Sequence, residues 1–247
     1  MTSCTNLKVL ASVRHRRDDL LNYFQGSGVE ITFNNRLLVE QYDLVLLCVK
    51  PSQVFDVLRE VGDLLHCKVL ISMVALIPLS WFRRRLGDDV VLFRAMTNIS
   101  ALSNSSFTAL SRDVAYSDEI ERAVEDLFRV LGEVVWVEEH VLDALTIISG
   151  CGPALVAELI DAFILGSMAI GIPEHVARRA VFKLFEGTVK SLGVLSASEL
   201  RNRVITPRGL TIKMLKDAYG RGVKSSLIEA LESTYNEMLY IQRKLID

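Results

Sequence analysis

The spacing of apolar residues changes once along this chain, and that change divides what it can fold into. Up to Glu138, short apolar runs alternate with helix-spaced segments; beyond it only helical spacing remains. Strands are predicted at residues 7–13, 29–32, 44–49, 68–74, 90–95, 107–111 and 134–137, with helices at 18–24, 36–41, 55–65, 79–86 and 120–131 between them. The run LVLLCV at 44–49 is apolar throughout, as suits a strand buried on both faces. Such alternation predicts a parallel sheet flanked by helices. The remainder reads as helices at 141–149, 154–171, 173–192, 198–205, 210–218 and 223–245. The expected organisation is an α/β domain over residues 1–139 and an all-α domain over 140–247, with no low-complexity linker between them.

Half of the 247 residues are hydrophobic, enough for a sizeable core. The formal charge of −2 gives no general pull toward nucleic acid or acidic lipid, and neither is expected as a partner. The basic cluster Arg14-His15-Arg16-Arg17 is local: a solvated loop or a phosphate contact. Cys4, Cys48, Cys67 and Cys151 show no C-x-x-C spacing. Cys48 and Cys67 lie in apolar runs and read as small core residues, and His66-Cys67 has no second ligand pair nearby. A reducing, cytoplasmic setting and no metal are expected, and Met1-Thr-Ser-Cys-Thr-Asn does not open like a signal peptide. Residues 154–172 approach the length of a membrane span, but Glu158 and Asp161 interrupt them, so a buried helix of a soluble protein is the expectation. Several helices of the second half are apolar on more than one face, which an intertwined homodimer would bury.

The junction Ser149-Gly150-Cys151-Gly152-Pro153-Ala154 reads as a loop opening a helix, with Pro153 in the first turn, where its missing N–H costs nothing. In a sheet of this kind, ligands lie beyond the carboxyl ends of the strands. Val49-Lys50-Pro51, Ser72-Met73-Val74-Ala75 and Met96-Thr97-Asn98 fall at such ends. A further segment is Arg203–Thr211. There Thr206-Pro207 breaks one helix, Gly209 permits an unusual backbone angle, and Leu210 begins the next helix. Free N–H groups at that start, with the hydroxyls of Thr206 and Thr211, suit a carboxylate; a plain helix–loop–helix is the alternative.

Residues 44–51 (LVLLCVKP), 94–98 (RAMTN), 143–154 (DALTIISGCGPA) and 199–212 (ELRNRVITPRGLTI) resemble, in order and separation, the pyrroline-5-carboxylate reductases. The resemblance implies a Rossmann-like dinucleotide-binding domain followed by a helical dimerisation domain. It implies hydride transfer from NADPH or NADH to the C=N bond of 1-pyrroline-5-carboxylate, completing proline biosynthesis, in homodimers that can assemble further. Cofactor contacts would fall at Arg14, Asn35, Val49, Lys50, Pro51, Ala75 and Asn98, and the basic cluster at Arg14 favours NADPH. The substrate carboxylate would meet Thr206, Gly209, Leu210 and Thr211, with Thr211 as the catalytic hydroxyl bonded to the ring nitrogen.

The chain also departs from that family. A strand, a G-x-G-x-x-G-type turn and a helix open the family's sequence, whereas the match here begins almost at the second strand, and Gly26 and Gly28 precede a short strand instead of following one. The expectation is a truncated Rossmann-like sheet with unpaired edges between the family's second and fourth strands, and cofactor binding weakened or lost. An upstream start, a sheet closed up in altered form, and a degenerate protein are the alternatives. Leu76 and Arg208 stand where the family has glycine, Ile99-Ser100 where it has Thr-Pro, Asn104-Ser105-Ser106 where it has Gly-Glu-Gly, and Cys151 where it has serine. Three functions follow: the reductase itself, a non-catalytic oligomerising relative, or a reductase of another cyclic imine acid.

Overall fold

The computed structural model describes residues 8–246; Cys4 and Leu7, the first residue of the first expected strand, lie outside them. The chain forms two compact units, one running to Thr146 and including the stretch from Leu239, the other spanning Ile147–Met238.

In the first unit, β1 (Val9–Ser12), α1 (Asp18–Phe24), β2 (Val29–Thr32), α2 (Asn35–Gln41), β3 (Leu44–Leu47), α3 (Val54–Val61), β4 (Val69–Ser72), α4 (Leu79–Leu86) and β5 (Val91–Met96) alternate as the apolar spacing predicts. β6 (Ser106–Arg112), α5 (Asp118–Arg129), β7 (Gly132–Trp136) and α6 (Glu139–Leu145) complete it. The sheet is in two pieces. β1 pairs with β2, and β3-β4-β5-β6-β7 form a separate five-stranded sheet. One pairing corrects the expectation of an all-parallel sheet: β6 runs antiparallel to β5. Nine residues, 97–105, separate the two strands, among them a 3-10 turn at Ile99–Ser103 and a left-handed Asn104. A connection that short cannot make the crossover that parallel pairing needs. Gly132 sits at φ +149 because β7 passes so close to β6 that a Cβ would collide with the Ser106 main chain.

The five-stranded sheet has a core on each face. Val45, Leu47, Leu70 and Leu92 pack against Val39 of α2, Val54, Leu58 and Val61 of α3, and Phe82 of α4. The alternate residues Ile71, Phe93 and Leu110 pack against Val124 and Phe128 of α5. This two-sided burial explains why these strands read as continuous apolar runs. The helices begin where side chains cap them: Asn34 Oδ1 accepts from Leu37 N at 3.1 Å, and Ser117 Oγ from Ile120 N at 3.4 Å. Cys48 and Cys67, expected as core residues, are exposed, as is Cys151. Cys67 lies in a left-handed turn ahead of β4, and Cys48 lies just past the end of β3.

The expected division at 139/140 differs from the observed one because α6 is tied into the first unit. Arg94 of β5, with no exposed surface, reaches Glu139 Oε1 at 2.8 Å and Asp143 Oδ1 at 2.9 Å. Glu139 Oε1 also accepts from Leu79 N at the start of α4, at 2.7 Å. The far end of the last helix belongs here too: Gln242 Nε2 donates to Asp143 Oδ2 at 3.3 Å, and Ile246 packs against the core on the α2, α3 and α4 face of the sheet.

The second unit is helical: α7 (Gly152–Ala169), α8 (Glu174–Leu192), α9 (Ala197–Val204), α10 (Leu210–Gly220) and most of α11 (Val223–Ile246). Residues 149–154 do not form the expected loop. Thr146–Cys151 is a π-helical stretch that joins α6 to α7 without a break. Pro153 offers no N–H and its ring crowds the carbonyl four residues back, and the wider π turn accommodates both. The α7–α8 contact buries Ile164, Ala177 and Val181. In the single chain most of α7 is uncovered, which leaves its expected burial to the homodimer. Val156, Phe163, Leu165 and Met168 are 41–56% exposed, and Glu158 and Asp161 are exposed as well. By length and composition the helical run Glu139–Ala169, mean hydropathy 1.7, could cross a membrane. An apolar surface of this kind marks either a bilayer or a protein partner.

Candidate functional site

Two groups of the residues singled out in the sequence come together, one in each unit. In the first unit, β1 pairs with β2 and β3 with β4 in separate sheets, and β1 and the β3 segment line one common cavity, so the strand order reverses between them. The carboxyl ends of β1 and β3 thus mark a topological switch point, where open α/β sheets bind ligands. A cavity of about 560 Å³ lies there, lined by Arg14, His15, Asn35, Val49, Lys50 and Glu60 among others. The loop after β1 supplies Arg14 and His15, which make no ion pair among the described residues. Their neighbours Arg16 and Arg17 are instead held by Asp18 at 3.1 Å and Asp19 at 2.5 Å.

Asn35 opens α2 and is fixed on both sides. Its Oδ1 accepts from Ser12 Oγ at 2.7 Å, and its Nδ2 donates to Glu60 Oε2 at 2.9 Å. Lys50 follows β3; its main chain is held by Gln53, with Lys50 N donating to Gln53 Oε1 at 3.1 Å. Its ammonium is exposed at the cavity. Cys48 lines the same cavity, its surface open to it, and partial loss of water there pushes its thiol pKa up. The remaining residues expected at a cofactor do not line this cavity. Pro51 opens the 3-10 turn after β3, Ala75 follows β4, and Asn98 follows β5, where its Oδ1 accepts from Ser100 N at 3.1 Å. Paired register along β3-β4-β5 (Leu47↔Ser72↔Arg94) puts all three beyond the same sheet edge.

In the second unit, Thr206 to Thr211 form the turn into α10. Gly209 corrects the expectation of an unusual backbone angle: its φ is −70°, and the left-handed residue is Arg208, at φ +62°. Glycine is required at 209 for space, since a Cβ there would collide with the Thr206 hydroxyl. The turn closes with Gly209 N donating to Thr206 O at 3.0 Å. No side chain caps α10, so its first N–H groups are free for an anion, and Leu210 stands 84% exposed at its first position. Leu76 is likewise left-handed, at φ +72°, just past Ala75. Among the described residues no group of His, Cys, Asp and Glu could hold a metal ion.

Some residues at these places were not anticipated. Ser12, Gln53 and Glu60 line or brace the first cavity, and the buried Arg94 cluster joins β5 to α6. The signal for Ser12 was its position at a strand end; for Arg94 it was one charge inside an apolar strand.

A two-piece sheet with a cavity at its switch point, followed by a helical unit, defines a Rossmann-like protein with a C-terminal all-α domain. Residues 139–239 match the family description "Pyrroline-5-carboxylate reductase dimerisation", and residues 6–76 match "NADP oxidoreductase coenzyme F420-dependent". The pyrroline-5-carboxylate reductase of Aquifex aeolicus is 28% identical over 231 residues, 93% of this chain and 85% of that protein. That of Kluyveromyces lactis is 30% identical over 213 residues, 84% of this chain and 73% of that protein. The crystal structure of Plasmodium falciparum pyrroline carboxylate reductase with NADP bound shares the fold, with a TM-score of 0.85 at 20% identity, over 93% of this chain and 85% of that one. The chain belongs to the pyrroline-5-carboxylate reductase family.

Proposed function

We propose that the protein is an NAD(P)H-dependent reductase that converts 1-pyrroline-5-carboxylate to L-proline. The observation that carries this is the switch-point cavity, which gathers Arg14, Asn35, Val49 and Lys50 from three separate segments. Their chemistry fits a dinucleotide: Arg14 and Lys50 offer cations to phosphate, and Asn35 is braced beside them. An unpaired Arg14 next to His15 suits the 2′-phosphate of NADPH better than the bare ribose of NADH. Pro51, Ala75 and Asn98, on the adjoining strand ends, are assigned to the nicotinamide side.

When bound, the reduced nicotinamide supplies a hydride to the imine carbon. The protein's own residues orient the substrate and deliver the proton. The uncapped N-terminus of α10, with the Thr206 hydroxyl and the Leu210 N–H group, holds the carboxylate. The Thr211 hydroxyl donates to the ring nitrogen and assists its protonation as the C=N bond becomes C–N. The exposed apolar faces of α7, α8 and α11 are covered in a homodimer, and dimers assemble further. The free thiols of Cys48, Cys67 and Cys151 suit a reducing cytoplasm.

The test is imine reduction by the purified chain, followed by loss of nicotinamide absorbance. Thr211→Ala is expected to lower kcat by about 10²-fold, the contribution of a positioned proton donor. Unchanged kinetics would remove Thr211 from the mechanism. A second reading, a non-catalytic dimer-forming relative, is favoured by the division of the sheet beside the cavity. It predicts no turnover and no NADPH binding by the same chain.

A further inference from the structure

A cavity of about 570 Å³ lies away from the carboxyl ends of β3, β4 and β5 and shares no lining residue with the switch-point cavity. Because β6 runs against β5, its last residue, Arg112, pairs with Phe93 near the start of β5, and Trp136 ends β7 opposite Leu110. The loop from β6 to α5 adds Val114 and Ala115 to the lining, and the chain leaving β7 adds Val137 and Glu138. The helix α5 braces this wall. Arg112 Nη1 donates to Glu121 Oε2 at 2.7 Å while its guanidinium lies over the Trp136 ring, 5.1 Å from the centroid. Trp136 Nε1 in turn donates to Glu125 Oε2 at 3.2 Å. Asp113, at the same cavity, is already satisfied: its Oδ2 accepts from Arg83 Nε at 2.8 Å and its Oδ1 from the Tyr116 hydroxyl at 2.7 Å. The groups left for an occupant carry both signs. Among the described residues the other N–H groups of Arg112 and the main-chain N–H of Ala115 make no hydrogen bond. The Glu138 carboxylate is exposed and has no partner among the described residues. Val114, 53% exposed, forms an apolar wall with Val137 and Trp136.

We infer that this cavity binds a free α-amino acid with an apolar side chain, as its zwitterion. The carboxylate sits on the Arg112 guanidinium and the Ala115 N–H, the ammonium on Glu138, and the side chain against Val114, Val137 and Trp136. A guanidinium held in place from behind meets a carboxylate through charge-assisted bonds at little ordering cost, and one bond to Glu121 leaves donors to spare. A ligand with negative charge alone would be repelled by Glu138, and one with positive charge alone would leave Arg112 without a second partner. A few polar groups of fixed position beside an apolar wall, in a volume within the range of about 300–1,000 Å³, are what small-molecule sites share. L-Proline, the product of the reaction proposed above, belongs to this ligand class. That the site senses product away from the chemistry rests on that reading; the binding itself does not.

The experiment uses the full 247-residue chain with 5-fluorotryptophan at its two tryptophans, Trp81 and Trp136, followed by fluorine NMR and assigned with Trp136→Phe. Titrated with L-proline and with L-valine, the Trp136 signal is expected to move saturably at millimolar concentrations, while that of the buried Trp81 stays in place. N-Acetyl-L-proline lacks the ammonium and L-prolinamide the carboxylate. Each is expected to bind about tenfold more weakly, the loss of one charge-assisted hydrogen bond. Glu138→Gln changes an exposed side chain without a partner among the described residues, so it keeps the fold, and it should weaken L-proline by a similar factor. No movement of the Trp136 signal, an equal response to the two analogues, or unchanged affinity in Glu138→Gln would overturn the proposal. Movement of that signal in a chain that reduces no imine upholds the site and removes only its role in sensing product. Imine reduction without any movement overturns the site and leaves the reductase reading standing.

Discussion

Arg94 shows how a single residue can bind elements that the sequence keeps far apart. Its guanidinium has no contact with solvent and faces two carboxylates on α6, one of which also holds the start of α4. A buried charge needs partners, and removing one member strands the others. Arg94→Met is expected to lower the free energy of unfolding by about 3 kcal/mol, read by urea titration. A change within a few tenths would show that the carboxylates find water instead. The sequence displayed a charge inside VLFRAM but not its partners, because burial and pairing depend on segments that meet only in the fold. The turn into α10 was legible in the opposite way. Thr206, Gly209 and Thr211 were visible as a helix start, yet the strained residue proved to be Arg208, since sequence shows which residue tolerates an odd angle and not which one adopts it.

At the scale of elements, the strands and helices of the first unit follow from apolar spacing alone, because burial on both faces imposes it. Two features did not. The antiparallel β6 depended on the length of one connection, and the π stretch at Thr146–Cys151 overrode the rule that glycine and proline end helices. The divided sheet, with β1-β2 apart from β3 to β7, agrees with the expectation of unpaired strand edges. In α8, Lys183 and Lys190 bracket Glu186 at 2.6 Å each and pull its carboxyl down to about 2. Because the folded-state pKa lies below the ordinary 4.5, the pairs stabilise the helix above that ordinary value. That contribution is lost as pH falls from there through about 2. Carbon-detected NMR titration should place the Glu186 midpoint near the lower value, and Lys183→Ala together with Lys190→Ala should return it toward the upper one. The pairs are fully exposed, so high salt should shrink the shift.

For the whole molecule, the exposed apolar residues of the helical unit are the dominant fact. Phe163, Leu165, Phe182, Leu184 and Val189 are 47–67% exposed in a single chain, more than a soluble protein leaves uncovered on neighbouring helices. Together with the dimerisation-family match over residues 139–239, this predicts a mass by light scattering of at least twice 27.6 kDa. A stable monomer would contradict it, and a requirement for detergent would favour the bilayer instead. The return of the last helix to the first unit carries a separate consequence. Ile246 completes a core laid down by residues that leave the ribosome long before it, and Gln242 reaches back to Asp143. Domains ordinarily fold in the order in which they are made. Here the first unit lacks that contact until the last turn of α11 is made, so a product cut short before it would leave part of this core uncovered for chaperones and proteases.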